Sequence, residues 1–147
     1  MYKHILIPTD GSGASRKAIV AGVKLAKQLG AKVTGMYAAP AATPIVYKNF
    51  LPVGYMTPER HAQAIDRAAA QYLGAIEEAA KRAGVRCEAV SVTSEFPADA
   101  ILDLARKRKC DLICMASHGR RGIAAVLLGS ETQKVLARAK IPVLVHR

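Results

Sequence analysis

The sequence predicts an α/β fold in which helices cover both faces of a parallel sheet of five strands. Short apolar runs alternate along the chain with longer amphipathic segments, as in successive strand–helix units. Hydrophobic residues make up 51% of the 147 residues, which is enough for the core of one domain. Because a helix separates each strand from the next, the strands are expected to run parallel.

Strands and helices are expected in strict alternation. Strands are predicted at residues 3–8, 32–37, 85–92, 111–116 and 141–146. Helices are predicted at residues 15–29, 57–83, 97–107 and 131–138. The proline-containing stretch 38–56 separates the second strand from the second helix. A connection of this length is usually a functional lid or a disordered segment.

Residues at the helix ends support these boundaries. Gly30 and Gly84 follow the first two helices at the position where glycine commonly ends a helix. Thr57 and Pro58 are typical of a helix start, as cap and first-turn proline. Apolar residues of the second helix lie three and four apart and predict a core-facing stripe: Ile65, Ala69, Tyr72, Leu73, Ile76, Ala80 and Ala83. In the third helix, Ala100, Ile101, Leu104 and Ala105 are expected to face inward.

The stretch of residues 116–130 carries the strongest functional signal. It joins the fourth strand to the last helix and contains Gly119, Gly122 and Gly129. Backbone N–H groups in such a loop and at the helix start lack internal partners, and the helix dipole adds positive potential there. Glycines let this backbone approach phosphate oxygens without an intervening Cβ. The spacing therefore predicts an anion site.

A purely structural interpretation of the same residues is also open. Ser130 and Gln133 match a capping box, in which case Gly129 only relaxes the turn. His118 lies beside Ser117, but no third group completes a catalytic arrangement. We therefore interpret His118 as a residue that positions the backbone rather than as a base.

The carboxyl ends of the parallel strands define where a ligand is expected. Ligands bind beyond these ends, at the point where the strand order reverses. The turn at Thr9 and Asp10 and the loop 117–130 both lie there, and they share a crevice if the first and fourth strands are neighbours. Asp10 is then either a helix cap or an acceptor for sugar hydroxyls or a metal ion.

Charge and aromatic content limit the class of partner. The formal net charge of +11 attracts anions. The densest basic cluster, residues 106–109, lies at a predicted helix C-terminus, where cations offset the helix dipole. With no Trp and two Phe, the chain lacks the interleaved aromatic and basic residues of stacking platforms. Nucleic-acid binding is therefore not expected.

The three cysteines do not form a recognisable metal or disulfide pattern. Cys87 and Cys114 fall in predicted strands, which favours buried thiols. Cys110 lies among Arg and Lys residues, which predicts a lowered thiol pKa. A strand begins close to Met1 without a signal peptide, and no apolar run approaches the roughly 20 residues of a membrane span. We therefore expect a cytoplasmic protein.

The common nucleotide-binding motifs are not matched. The turn after the first strand contains Gly11 and Gly13, but Arg16 replaces the third glycine of the dinucleotide fingerprint. No acidic residue ends the second strand, and no G-K-[ST] sequence is present. The turn at 93–96 lacks the aspartate of a phospho-receiver domain. A nicotinamide enzyme, a P-loop protein and a receiver domain are therefore not expected.

Motifs along the whole chain resemble the universal stress protein family. They are ILIPTDGS at 5–12, SHGRRG at 117–122, LGS at 128–130 and IPVLV at 141–145. The resemblance implies a flavodoxin-like or Rossmann-like three-layer sandwich with strand order 3-2-1-4-5. The ATP-binding branch of that family carries G-x-x-G, nine further residues, and G-[ST]. Here Ala116 stands at the first glycine, followed by Gly119, Gly129 and Ser130.

The resemblance also implies a site for ATP or another adenine nucleotide, with or without Mg²⁺. Its residues would be Pro8, Thr9, Asp10, Met36, Ala116, His118, Gly119, Arg120, Gly122, Gly129, Ser130 and Glu131. The first three would flank the adenosine, with Asp10 near the ribose, and Met36 would offer backbone groups to the adenine. Gly119, Gly129, Ser130 and the N–H of Glu131 would hold phosphates. Arg120 and Arg121 would either add charge there or face solvent.

A homodimer through the last strand, at residues 142–145, is a further implication of the resemblance. Val143, Leu144 and Val145 are apolar on both faces, and Pro142 suits an edge strand. Alternatively, a helix of the same chain covers that edge.

The main hypothesis is an ATP-binding stress-response protein, acting as a nucleotide-linked switch or as a regulator of an unknown protein partner, with at most slow hydrolysis. A nucleotide-free dimeric interaction module is the alternative that Ala116 favours. An adenylating or hydrolysing enzyme of a related fold is only loosely suggested by residues 10–15.

Overall fold

The computed structural model describes residues 1–42, 57–120 and 128–147. Its strands are β1 His4–Thr9, β2 Lys32–Ala39, β3 Cys87–Thr93, β4 Leu112–Ala116 and β5 Val143–His146. Its helices are α1 Gly13–Leu29, α2 Pro58–Ala83, α3 Pro97–Lys107 and α4 Ser130–Arg138. All paired strands are parallel, and the order β3-β2-β1-β4-β5 confirms the predicted fold class and strand order.

Differences from the predicted boundaries are small and have local causes. Helix α1 begins at Gly13 rather than at residue 15 because the hydroxyl of Ser12 accepts a hydrogen bond from Ser15 N and caps the helix. Strand β3 begins at Cys87 rather than at residue 85, since Val85 N donates to Ala80 O in the C-terminal cap of α2. The predicted N-cap of α2 is confirmed: the Thr57 hydroxyl accepts from Arg60 N.

Two apolar clusters sandwich the sheet. The first packs α1 and α2 against one face and includes Ile5, Ile7, Ile19, Val23, Leu73 and Ile76. The second packs α3 and α4 against the other face and includes Leu6, Met36, Ile101, Leu104, Ile113 and Val135. Successive β1 side chains enter opposite clusters, which explains why the central strand is an unbroken apolar run. Within the described segments, no helix is long and apolar enough to cross a membrane.

The sheet opens between its central strand, β1, and the neighbouring strand β4. The ladder between β1 and β4 joins Ile5 to Leu112 and Leu6 to Ile113, and it extends no further in the described residues. Beyond this point β1 continues to Thr9 and β4 to Ala116. A cleft therefore forms at the carboxyl ends of these strands, where the chain order reverses and where doubly wound sheets bind ligands.

Candidate functional site

Two adjoining cavities occupy this cleft, with volumes of about 150 and 460 Å³. Both are lined by Asp10, Tyr37, Gly119 and Glu131. The smaller cavity reaches inward between the ends of the strands, where Met115 supplies an apolar wall. The larger one lies within the roughly 300–1,000 Å³ that small-molecule sites occupy. The cleft is therefore large enough for a small organic ligand.

Asp10 is held by main-chain donors from two loops. Its Oδ1 accepts from Ser12 N at 2.9 Å, and its Oδ2 accepts from Arg120 N at 2.7 Å. Burial raises the pKa of this carboxyl, but hydrogen bonds from Ser12 and Arg120 outweigh that effect, and the pKa lies below its ordinary value. Asp10 is therefore an ionised acceptor at neutral pH. It is not the helix cap, since Ser12 has that role in α1.

Gly119 permits the contact between these two loops. A Cβ on Gly119 would lie 2.2 Å from Oδ2 of Asp10. The loop after β4 therefore lies against the turn after β1 only because this position has no side chain. Close approach is the property that the glycine spacing predicted, although here the observed neighbour is a carboxylate.

Arg120 faces the same turn. Its Nε donates to Asp10 O at 2.9 Å, and its Nη2 lies 3.2 Å from Gly11 O and 2.9 Å from the hydroxyl of Tyr72. The guanidinium carbon also lies 5.3 Å from the centre of the Tyr72 ring. Tyr72 in turn meets Tyr37 edge to face, with ring centres 5.2 Å apart.

The start of helix α4 differs from the predicted capping box. Its N-cap is Gly129, which has no side chain with which to cap, and Ser130 is the first helical residue. Gln133 uses its side chain to donate to Leu128 O instead. Gly129 N donates to Ser117 O at 2.6 Å and fixes the end of the loop. The capping-box interpretation was therefore wrong, and the first-turn N–H groups of α4 are not satisfied by the predicted cap.

Glu131 joins the starts of two helices at the cavity. Its Oε2 accepts from Ala98 N in the first turn of α3, and its Oε1 accepts from Nζ of Lys134, both at 2.9 Å. The α3 N-cap, Phe96, makes no side-chain hydrogen bond, so Glu131 performs that function from α4. Thr132 Oγ1 donates to Ala116 O at 2.9 Å, which holds the end of β4 against α4.

Most of the predicted site residues converge on the cleft. Those lining one or both cavities are Pro8, Thr9, Asp10, Ala116, His118, Gly119, Arg120, Gly129, Ser130 and Glu131. Met36 does not line them: its side chain is fully buried in the α3–α4 cluster. Strand β2 contributes Tyr37 and Ala38 to the cavities instead. Gly122 lies outside the described residues, as does the segment 43–56 of the predicted loop.

Sequence reasoning missed several lining residues, among them Tyr37, Tyr72, Pro97 and Thr132. Pro97 follows β3 at the carboxyl edge, so the rule that located Asp10 also locates Pro97. Apolar periodicity placed Tyr72 in the core-facing stripe of α2. Helical spacing alone does not indicate that its ring reaches Gly11, in the turn after β1. The buried part of the stripe is Ala69, Leu73, Ile76 and Ala80.

The structure also corrects the prediction for Cys110. This thiol is 6% exposed, and burial raises its pKa to about 11, although Lys32 and Arg108 act in the opposite direction. Burial likewise raises the pKa of Cys114 to about 11. The predicted lowering was wrong because sequence neighbours say nothing about desolvation. In the described part of the chain, no three His, Cys, Asp or Glu residues are grouped as metal ligands.

The fold and the cleft define a class of α/β protein with a cavity at the switch point of a doubly wound sheet. The universal stress protein family model matches residues 1–147, and the chain belongs to that family. It is 32% identical over 145 residues to universal stress protein MJ0531 of Methanocaldococcus jannaschii, covering 99% of this chain and 82% of that one. It is 31% identical over 151 residues to YxiE of Bacillus subtilis, covering all of both chains.

A solved structure extends the similarity to a protein with a bound ligand. A universal stress protein in complex with cAMP is 26% identical to this chain, with a TM-score of 0.72. The match covers 99% of this chain and 97% of that chain.

Proposed function

We propose that this protein binds an adenine nucleotide in the cleft between β1 and β4, and that occupancy of the cleft controls its interaction with another protein. The observation that carries the proposal is the start of α4. A helix N-terminus with no side-chain cap opens onto a cavity at the switch point of the sheet. Such a terminus combines unpaired N–H donors with positive potential, the two properties that phosphate requires.

The phosphate end of the ligand lies at Gly129 and Ser130 in this proposal. Gly129 has an extended backbone, with φ −68° and ψ 157°, which other residues also adopt. A side chain at this position would be crowded, because its Cβ would lie 3.1 Å from the His118 Cα and 3.4 Å from Ser117 O. A larger residue there would separate the loop from the helix and displace the N–H groups of the first turn.

The nucleoside end lies between β1 and β2. Thr9, Tyr37 and Ala38 line the inner cavity beside Met115, so this part of the cleft combines apolar walls with polar edges. Asp10 uses two of the roughly four acceptor positions of its carboxylate on Ser12 N and Arg120 N. The remaining positions suit the hydroxyls of a ribose. The predicted adenine contact at Met36 stays a prediction, with Tyr37 as the neighbouring residue that reaches the cavity.

Magnesium, if bound, is held mainly by the phosphates of the ligand. The two carboxylates at the cleft, those of Asp10 and Glu131, are already engaged by main-chain N–H groups and by Lys134. Mg²⁺ commonly binds through substrate phosphates with one or two carboxylates. We therefore propose that the protein binds the nucleotide with or without Mg²⁺, and that the ion changes affinity modestly.

Occupancy of this site acts on two residues of the cleft, Arg120 and Gly129. Arg120 N donates to the Asp10 carboxylate, and Gly129 N donates to Ser117 O. A ligand that contacts either residue better in one state of the protein than in another shifts the balance between those states, and with it the surface offered to a partner. The family membership and the cAMP complex of a similar protein support the nucleotide-binding part of this proposal, and the regulatory part rests on it.

Calorimetric titration with ATP and with AMP, with and without Mg²⁺, tests the site after co-purified nucleotide has been removed. We expect micromolar binding by the wild-type chain and a loss of about 100-fold or more in Gly129→Val. Gly74→Val is the matched control, because a Cβ on Gly74 meets nothing within 4 Å. Undiminished affinity in Gly129→Val would show that the phosphate site is elsewhere, and absence of wild-type binding would refute the proposed function.

The homodimer, which the nucleotide-free module shares with the main proposal, has one specific observation in its favour. Strand β5 lies at an edge of the sheet, and Leu144 on it is 42% exposed. An apolar edge of this kind pairs readily with a copy of itself. We propose the dimer through residues 142–145 for both functions, and light scattering of Leu144→Lys tests it: a monomer is expected. A dimer that persists would place the interface elsewhere.

A further inference from the structure

Helix α2 reaches the proposed nucleotide site through one group of contacts, here named the clasp and consisting of Gly11, Tyr72 and Arg120. Tyr72 lies over Gly11, where a Cβ would come within 2.2 Å of the ring. Arg120 donates to the Tyr72 hydroxyl and lies against the same ring. The clasp therefore ties the turn after β1, the loop after β4 and α2 together at one point.

The guanidinium of Arg120 is directed towards main-chain acceptors. Its Nε and Nη2 donate to Asp10 O at 2.9 Å and to Gly11 O at 3.2 Å. The Tyr72 hydroxyl is the third acceptor, so within residues 1–42, 57–120 and 128–147 this side chain donates to three neutral oxygens. A planar fork that donates in several directions and stacks on a ring is a property of Arg that Lys does not share.

Asp10 is the residue on which these contacts converge. The side chain of Arg120 binds the Asp10 carbonyl, while the N–H of Arg120 binds the Asp10 carboxylate at 2.7 Å. Arg120 thus fixes both the main chain and the side chain of the group that faces the nucleoside half of the cleft. Loss of the fork would free the turn that carries Asp10.

We propose that Arg120 is a positioning residue, which sets affinity by orienting Asp10 towards the nucleoside and does not act as a phosphate ligand. This inference rests on the proposed nucleotide binding. A residue that contacts the phosphates contributes more to the binding free energy of ATP than to that of AMP. A residue that orients Asp10 contributes equally to the binding free energies of both.

The test is calorimetric titration of wild type, Arg120→Met, Arg120→Lys and Tyr72→Phe with AMP and with ATP. We expect each Arg120 variant to raise the Kd of both nucleotides by about tenfold, so that the ratio of the two Kd values is unchanged. Tyr72→Phe keeps the ring and removes one acceptor, and about threefold weakening of both ligands is expected. Arg82→Gln is the charge-matched control: Arg82 is exposed near the end of α2, and it pairs at 3.5 Å with Glu78, one turn earlier on the same helix.

A second readout follows the clasp without ligand. The chain has no Trp, so its near-ultraviolet circular dichroism is dominated by five Tyr residues. Arg120→Met and Arg120→Lys should both change this signal, and Arg82→Gln should not. Overall folding is checked by far-ultraviolet circular dichroism of each variant.

Each outcome separates the two proposals. If the wild type binds no nucleotide, the proposed function fails and this inference fails with it. If the wild type binds and Arg120→Met weakens ATP much more than AMP, while Arg120→Lys restores ATP binding, Arg120 is a phosphate ligand and only the inference is overturned. Unchanged affinity for both ligands in Arg120→Met would overturn it as well.

Discussion

The parallel strands have two ends, an amino end and a carboxyl end, and each end borders one side of the sheet, here called the amino-end edge and the carboxyl-end edge. These two edges use the same kinds of residue in different surroundings. At the amino-end edge, Gly84 ends α2 with a left-handed φ of 71°, and a Cβ there would meet nothing within 4 Å. At the carboxyl-end edge, Gly11 has a similar φ of 77°, but the Tyr72 ring occupies the space of the missing side chain. The first glycine serves backbone conformation alone, whereas the second serves conformation and close packing together.

The carboxylates at the two edges repeat this contrast. Asp111 accepts from Lys3 N and His4 N and holds the chain at the start of β1. Asp10 accepts from Ser12 N and Arg120 N at the end of the same strand, inside the cleft. Both are anchors for loops, but only Asp10 lines a cavity with an uncapped helix start opposite it. Function is therefore distinguished by what surrounds a residue type and not by the type.

The largest effect that this comparison predicts is on stability. Gly11→Ala introduces both a left-handed alanine and an overlap with the Tyr72 ring, and we expect a loss of about 3 kcal/mol in the free energy of unfolding. Gly84→Ala introduces the conformational cost alone, about 1 kcal/mol. Denaturant titration of both variants measures the difference. Equal losses would show that the ring moves aside without cost and that the contrast between the edges is unfounded.

The accuracy of the sequence predictions follows the same division. The alternation of strands and helices and the helix ends were predictable, because apolar periodicity and glycine caps depend on local sequence. The strand order was predicted from the resemblance to the family, and the switch-point rule then placed the cleft between β1 and β4. The contacts of Tyr72 and Arg120 were not predictable, since they join residues 48 positions apart in the chain. The capping box failed at Ser130 because Gly129 N is bound by Ser117 O and the helix begins one residue earlier. The predicted lowering of the Cys110 pKa was wrong because burial, not neighbouring charge, has the larger effect on that pKa.

A smaller effect is expected at the end of α3. Lys109 has a left-handed φ of 54°, and in the described residues it is the one non-glycine residue with a positive φ. Gly30 and Gly84 occupy the comparable positions after α1 and α2. Lys109→Gly should therefore raise the free energy of unfolding by about 0.5–1 kcal/mol, because the strain of the lysine exceeds the added entropy of the unfolded chain.

Denaturant titration measures this change in the free energy of unfolding, and calorimetric titration with ATP measures the nucleotide affinity of the same variant. Since Lys109 lies at the amino-end edge, nucleotide affinity should stay unchanged. Destabilisation in place of the expected gain would mean that the lysine side chain contributes more than its backbone strain costs.

The smallest effect concerns acid. Burial raises the pKa of Asp111, but hydrogen bonds from His4 N and Lys3 N lower it by more than burial raises it. The pKa in the folded protein therefore lies below the unfolded value near 4. A depressed carboxyl pKa adds stability that is fully present above the unfolded pKa and is lost as pH falls through the folded pKa. Asp111→Asn should therefore flatten the decline in stability below about pH 4, by less than about 1 kcal/mol because the group is largely solvated.

Asp10 provides the matched comparison for this measurement, since its pKa is lowered in the same direction by Ser12 and Arg120 against the effect of burial. Unfolding titrations at neutral and acid pH should show the flattened profile in both Asp111→Asn and Asp10→Asn. Only Asp10→Asn should also weaken AMP and ATP at neutral pH. If both substitutions weakened the nucleotides equally, the amino-end anchor would be coupled to the cleft through β1, and the two edges would not be independent. Because the central strand joins them directly, this is the most demanding test of the division between an end of the sheet that holds the fold and an end that is proposed to hold the ligand.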